Sequence, residues 1–146
     1  MNRFSLSFCD PFLPDIVHYG EKEPALVIPL YHTIPWLALN EAIYSRHDDV
    51  LHDFWFFEIS YQDAGGLTHT LNISPEYVTG AQSPEALRFT LRYIRPRMRK
   101  RLFGGEKLDK AFLSEREDAG ELDVIACIAA FMDKDEAFLD HYIAAL

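Results

Sequence analysis

Near the N-terminus apolar and polar residues alternate, with Phe4, Leu6 and Phe8 on one side of the chain and Ser5 and Ser7 on the other. A period of two is that of a half-buried strand. The next apolar run, Ala25 to Leu30, contains Pro29. Proline cannot donate to a ladder, so an edge strand or an extended segment is expected there. From Pro35 the spacing becomes helical. Proline suits a first helical turn, and Leu39, Ile43 and Tyr44 follow on one face, ending near Arg46 to Asp49.

The clearest element is a hairpin. From Asp53 to Tyr61, Trp55, Phe57, Ile59 and Tyr61 share one face, and Phe54, Phe56, Glu58 and Ser60 share the other. Gln62 to Gly66 has turn composition. Leu67, His69, Leu71 and Ile73 then alternate with Thr68, Thr70 and Asn72. The first strand is apolar on both faces at its start, so something should cover both, and a central strand packed on one side by helices is expected.

Beyond the hairpin the pattern reads as helix. Ser74-Pro75-Glu76 and Ser83-Pro84-Glu85 each have a serine cap, a proline in the first turn and an acid at the positive dipole end. The second predicts a helix bearing Leu87, Leu91 and Ile94, kinked or ended by Pro96 and closed at Gly104-Gly105. A further helix is predicted from about Gly120 to Met132, with Leu122, Ile125, Ile128 and Met132 in its stripe. A last one begins at Asp133, where Asp133 to Glu136 has the capping-box form, and buries Phe138, Tyr142 and Ile143. These two should pack as a helical hairpin. Strands first and helices after, without βαβ alternation, predict a single α+β domain. Its antiparallel sheet is centred on the hairpin of about 53–61 and 67–73 and packed by helices from the C-terminal half.

Composition supports a folded core. The chain has 146 residues, 49% of them hydrophobic and 14% aromatic, which excludes the low-hydrophobicity class of disordered chains. No apolar run approaches a membrane span of about 20 residues. Asp10, Pro11, Pro14 and Asp15 interrupt any signal-peptide core. A cytoplasmic protein without a membrane partner is therefore expected. Cys9 and Cys127 suffice for neither a disulfide framework nor a zinc site, and two buried reduced thiols are expected.

Candidate chemistry is sparse. His47-Asp48-Asp49 and His52-Asp53 hold two His-Asp pairs, and imidazole with carboxylate can bind a transition metal. On a continuous helix His47 and His52 would point about 140° apart, so a solvated acidic connection is expected and no metal. There is no nucleophile elbow, phosphate loop, dinucleotide fingerprint or His-Glu-x-x-His. His18, His32, His69 and His141 are isolated in sequence. No catalytic residue and no cofactor are expected. An enzyme with a dispersed site is the third-ranked reading, revived by a deep polar pocket lined by His47, His52 or His69.

Charge is more informative. The net charge is −9, yet Arg88, Arg92, Arg95, Arg97, Arg99, Lys100 and Arg101 occupy one acid-free segment. A segment of +7 inside a chain of −9 leaves −16 on the rest. On a continuous helix Arg88, Arg92, Arg95 and Arg99 would form one ridge opposite Leu87, Leu91, Ile94 and Met98. The ridge could compensate acids of its own chain, meet an acidic protein, or bind nucleic acid with Phe89, Tyr93 and Phe103 as stacking platforms. Against the last, the acidic remainder repels phosphate. The complementary acids are Glu115, Glu117, Asp118, Glu121 and Asp123 around Gly120, with Asp48 and Asp49 elsewhere. A loop followed by a helix N-terminus accounts for the first group, and an anionic docking surface is the sharper alternative.

In format the chain is similar to bacterial immunity proteins and antitoxins that neutralise nuclease toxins: short, acidic, single-domain and without a catalytic motif. No residue motif carries that likeness. The reading it implies is a protein-binding inhibitor that caps a basic, toxin-like partner through its acids. The alternative is a nucleic-acid-associated protein using the segment 88–101. The sequence leaves homo-oligomerisation open.

Overall fold

The computed structural model describes residues 3–143. Its strands are β1 (Phe4–Cys9), β2 (Val17–Lys22), β3 (Phe56–Gln62), β4 (Thr68–Glu76), β5 (Arg88–Lys100) and β6 (Glu106–Ala119). The helices are α1 (Val27–Thr33), α2 (Trp36–Ser45), α3 (Glu121–Met132) and α4 (Glu136–Ile143). The strands form one six-stranded antiparallel sheet in the order β2-β1-β3-β4-β5-β6. The fold is α+β, and the β3–β4 hairpin occupies the two central places.

Alternation sets the two faces of this sheet. Phe8, Phe57, Ile73 and Leu91 align across four strands, and Leu6, Ile59, Leu71 and Tyr93 form the next row. All eight are buried, and the helices cover this face. Phe131 of α3 meets Phe4, Tyr61 and Tyr93. Trp36 of α2 meets Phe8, Tyr31, Trp55 and Phe89 at centroid distances of 5.9, 5.4, 5.6 and 5.5 Å. Aromatic pairs of this kind add about 0.5–1.5 kcal/mol each beyond their buried area. The opposite face is polar: Ser7, Glu58, Asn72, Arg92 and Glu115 form one row across five strands.

Several expectations change. Ala25 to Leu30 is not extended. A 3-10 turn at Pro24–Leu26 leads into α1, where Val27 and Tyr31 are buried one turn apart and Pro29 sits in the tolerant first turn. Ser74-Pro75-Glu76 starts no helix, because β4 runs on through Glu76 and pairs with β5. Ser83-Pro84-Glu85 opens only the 3-10 turn Pro84–Ala86.

The segment after it is strand, so Leu87, Leu91 and Ile94 are not a helical stripe. Phe89, Leu91, Tyr93 and Arg95 bury at a period of two instead. Pro96 is tolerated because β4 pairing stops at Ile94 and a register shift lies between Arg95 and Arg97, so no ladder donor is lost. Gly104 and Gly105, with φ of 81° and 89°, turn β5 into β6 rather than ending a helix.

The sheet therefore draws on both halves of the chain, and α1 and α2 join the C-terminal helices in covering it. Among the described residues no helix covers the outer face of β3; there Phe54 packs on Phe56 and under the Arg92 guanidinium. In α3 the buried face centres on Val124, Cys127, Ile128 and Phe131, while Leu122 faces solvent. In α4 Leu139 and Ile143 are buried and Phe138 is exposed.

Candidate functional site

Antiparallel pairing sorts the connections to two ends of the sheet. The β1–β2 connection 10–16, the approach to β3 at 46–55, the β4–β5 connection 77–87 and the exit from β6 at 117–123 share one end. These four segments hold ten Asp and Glu residues against the lone Arg46. That excess of nine equals the net charge of the whole chain, so the remainder is balanced overall. At the opposite end, residues 97–110 of the β5–β6 hairpin hold six Lys and Arg against Glu106 and Asp109. The segregation is invisible in sequence, because the acids come from four separate stretches.

The acidic end stands on a rigid base. The buried Asn40 amide of α2 donates to the Val78 carbonyl and accepts from the Val78 N–H, each at 2.9 Å, which ties the 77–87 connection to the helix. Tyr77 is thereby stacked on Tyr44 at 6.5 Å, and both rings are exposed, Tyr44 at 73%. Leu13, Leu51 and Phe54 are also exposed at this end. Pro11 accepts from the Leu51 and His52 N–H groups, and His52 Nε2 lies 2.8 Å from the Leu13 carbonyl. Asp48 and Asp49 stand in a 3-10 turn, beside His47 at 3.1 Å and Arg46 at 3.4 Å respectively.

The acids around Gly120 are divided by the fold. Glu115 lies in β6 and accepts from Arg92 Nε at 2.9 Å. Glu117 and Asp118 fall where the β5–β6 register shifts, with Asp118 at a φ of 59°. Asp tolerates this left-handed conformation better than most residues. Glu76 holds the bulge by accepting from the Asp118 N–H at 2.8 Å and the Thr90 hydroxyl at 2.9 Å. Glu121 and Asp123 occupy the first turn of α3, favourable to the helix dipole. Arg116, between Glu115 and Glu117 in sequence, turns to the helix face, donates to the Tyr142 carbonyl and lies 4.1 Å from that ring. Burial, with the Asp123 hydrogen bond second, pushes the Tyr142 phenol up to about 12.

The four arginines of the expected helical ridge do not form one. Arg88 and Arg92 lie on the polar face of the sheet, and Arg95 lies on the helix face. Each has an acid partner: Asp118 for Arg88 at 3.4 Å, Glu115 for Arg92, Asp140 for Arg95 and Asp109 for Arg99 at 3.4 Å. Arg95 is only 4% exposed and also donates to Tyr93 O, Phe112 O and Ser114 Oγ, joining β5, β6 and α4. Phe89 and Tyr93 are buried, so they offer no stacking surface.

Past Ile94 the two strands continue without β4 as a free ribbon. Arg95, Arg97 and Arg99 cover the Phe112 ring, at 4.7, 5.1 and 5.9 Å. Met98 pairs with Leu108, and both side chains are exposed. Leu102 and Phe103 at the tip are 91% and 85% exposed. A hollow of about 470 Å³ is lined by Arg99, Lys100, Arg101, Lys107 and Lys110 together with Leu108 and Asp109. Lys100, Arg101, Lys107 and Lys110 make no ion pair among the described residues.

The histidines do not converge. His47 is exposed, whereas His52 lines a small pocket of about 140 Å³ with Asn40, Asp53 and Glu76. His69 is buried elsewhere, its Nε2 2.9 Å from Asp63 Oδ2 and its ring stacked on Tyr61 at 4.6 Å. That hydrogen bond, helped by the Leu67 and Gly65 N–H groups, holds the Asp63 carboxyl below its ordinary range. Among the described residues no three His, Cys, Asp or Glu side chains gather as a metal cage. Cys9 and Cys127 are free and buried, and burial pushes the Cys127 thiol up to about 12. No helix among the described residues is long and apolar enough to cross a membrane. Comparison with protein-family models, curated proteins and solved structures returned no match to this chain.

Proposed function

We propose that this chain is a small acidic binding protein that caps a basic protein partner in the cytoplasm, as immunity proteins and antitoxins cap nuclease toxins. The observation that carries this reading is the acidic end: ten carboxylates against Arg46, beside exposed Tyr44, Leu51, Phe54 and Tyr77. Interfaces are anchored by aromatic side chains within a polar rim, and this end has both ingredients. A nuclease keeps a cationic cleft for phosphate, so a concentrated anionic surface speeds encounter and disfavours neutral competitors. Asp48, Asp49, Glu117, Glu121 and Asp123 are the carboxylates best suited to contact it. Glu115 and Asp118 are drawn into pairs with Arg92 and Arg88 and serve more to shape the surface.

The alternative, nucleic-acid binding through Arg88 to Arg101, has less support. Four of its arginines are paired within the chain, and two of its three aromatic platforms are buried. An enzyme with a dispersed site has less again, since His47 is exposed, His69 is buried, and the pocket that His52 lines is small, about 140 Å³. The test is capture from the native host with the tagged full chain. A basic protein that elutes with salt, and is lost with Asp48→Lys, Asp49→Lys and Asp123→Lys combined, is the expected result. Recovery of no basic protein, or of one indifferent to these reversals, overturns the proposal.

A further inference from the structure

The geometry points to a second, separate surface: the tip of the β5–β6 ribbon docks on an anionic phospholipid bilayer. Leu102 and Phe103 enter the interface, and Lys100, Arg101, Lys107 and Lys110 meet the phosphate and carboxylate headgroups. Three observations converge on one place. Two adjacent large apolar side chains stand at the extreme tip of a ribbon that no third strand supports. Five cations line the hollow behind them, and its only acid, Asp109, is 3.4 Å from Arg99. One ribbon face continues the apolar surface inward through Met98 and Leu108. An apolar face beside a cationic one is the arrangement that holds peripheral elements in the headgroup region. Each lysine or arginine there strengthens attraction to anionic lipid.

The acidity of the chain does not oppose this. β5 is 13 residues long, so its two ends lie roughly 40 Å apart, about five Debye lengths at physiological salt. The ribbon presents its local charge of +4 nearly independently, and the repelled acidic end is left facing away from the surface. Single-stranded nucleic acid would ask for aromatic platforms along a basic groove. Here Phe112 lies under three arginines and Phe89 and Tyr93 are buried. Among the described residues the most exposed large apolar one is Leu102, which has no ring to stack but gains from entering lipid. The sequence expectation of no membrane partner rests on the lack of a spanning run, which a surface-docked hairpin does not need.

The experiment is flotation of the full chain with vesicles of phosphatidylcholine alone and of phosphatidylcholine mixed with phosphatidylserine. Partition onto the mixed vesicles only is expected. Leu102→Ser with Phe103→Ser should reduce it about tenfold or more. Lys100→Gln with Lys107→Gln should reduce it about 25-fold, at roughly fivefold per cation. These side chains are exposed, so unchanged unfolding midpoints separate lost docking from lost folding. Asp48→Asn with Asp49→Asn should float like the unaltered chain. No partition at low salt, partition indifferent to the double serine change, or tighter binding to single-stranded RNA than to the mixed vesicles each overturns the proposal.

Discussion

The acidic end of the sheet rests on the aromatic cluster around Trp36, whereas the basic ribbon at the other end has only its own two strands. The same strand, β5, contributes to both. Where β4 and the helices surround it, its arginines are paired or buried; where they stop, Arg99 keeps an exposed pair with Asp109 and Lys100 has no ion-pair partner among the described residues. Charge in this chain is therefore a matter of neighbours rather than of composition. One end is a fixed platform, and the other is an arm that can be altered with little cost to the fold.

The largest contrast should come from paired aromatic truncations. Phe89→Ala removes a fully buried ring beneath the acidic end and should cost about 3–5 kcal/mol. Phe103→Ala at the ribbon tip should stay within about 0.5 kcal/mol. Urea unfolding of both variants checks this, and equal losses would mean the ribbon is packed against something.

Arg95 sharpens the boundary, since it marks where the platform ends. Arg95→Met strands Asp140 and should cost about 3 kcal/mol, the lower range for a broken buried pair because Asp140 remains partly in water. The same assay applied to Arg101→Met should show almost no change.

Asn40→Ala leaves the Val78 N–H and C=O without their side-chain partner. A loss of about 1–3 kcal/mol is expected, with faster amide exchange confined to 77–87 and the ribbon unaffected.

The smallest effect concerns pH. Because Asp63 titrates below its unfolded value, its hydrogen bonds stabilise the fold above about pH 4, and that stability is lost as the pH falls through its lowered folded value. Asp63→Asn should flatten the acid limb of the stability profile while leaving it unchanged near neutrality in slope. An acid limb identical to that of the unaltered chain would contradict the assignment.

Legibility in the sequence followed locality. The β3–β4 hairpin, β1 and α3 are readable because each has an uninterrupted period or cap; α4 is readable as a helix, but its cap is Asp135, which accepts from the Phe138 N–H, while Asp133 ends α3. The segment 84–119 misled because Ser83-Pro84-Glu85 is a genuine local start signal that yields one 3-10 turn. Beyond it, Leu87, Leu91 and Ile94 fit a helix while Phe89, Leu91 and Tyr93 fit a strand, and only pairing with β4 and β6 decides between them. Without that hairpin, β6 could not be foreseen and Glu115 read as loop. Of the candidate site, the acidic residues were visible singly. Their shared end was not, because strand order and not sequence distance brings 48–49 and 117–123 to the same side of the sheet. The Tyr44–Tyr77 stack and the Asn40 clamp carried no sequence signal.

Under the proposed function the acidic end captures the basic partner and the ribbon takes no part. The most direct measurement is hydrogen exchange on the captured complex against the free chain. Protection within 46–55, 77–87 and 117–123, with 97–110 unchanged, is the predicted result. Protection centred on 97–110, with those three segments exchanging as in the free chain, would contradict it.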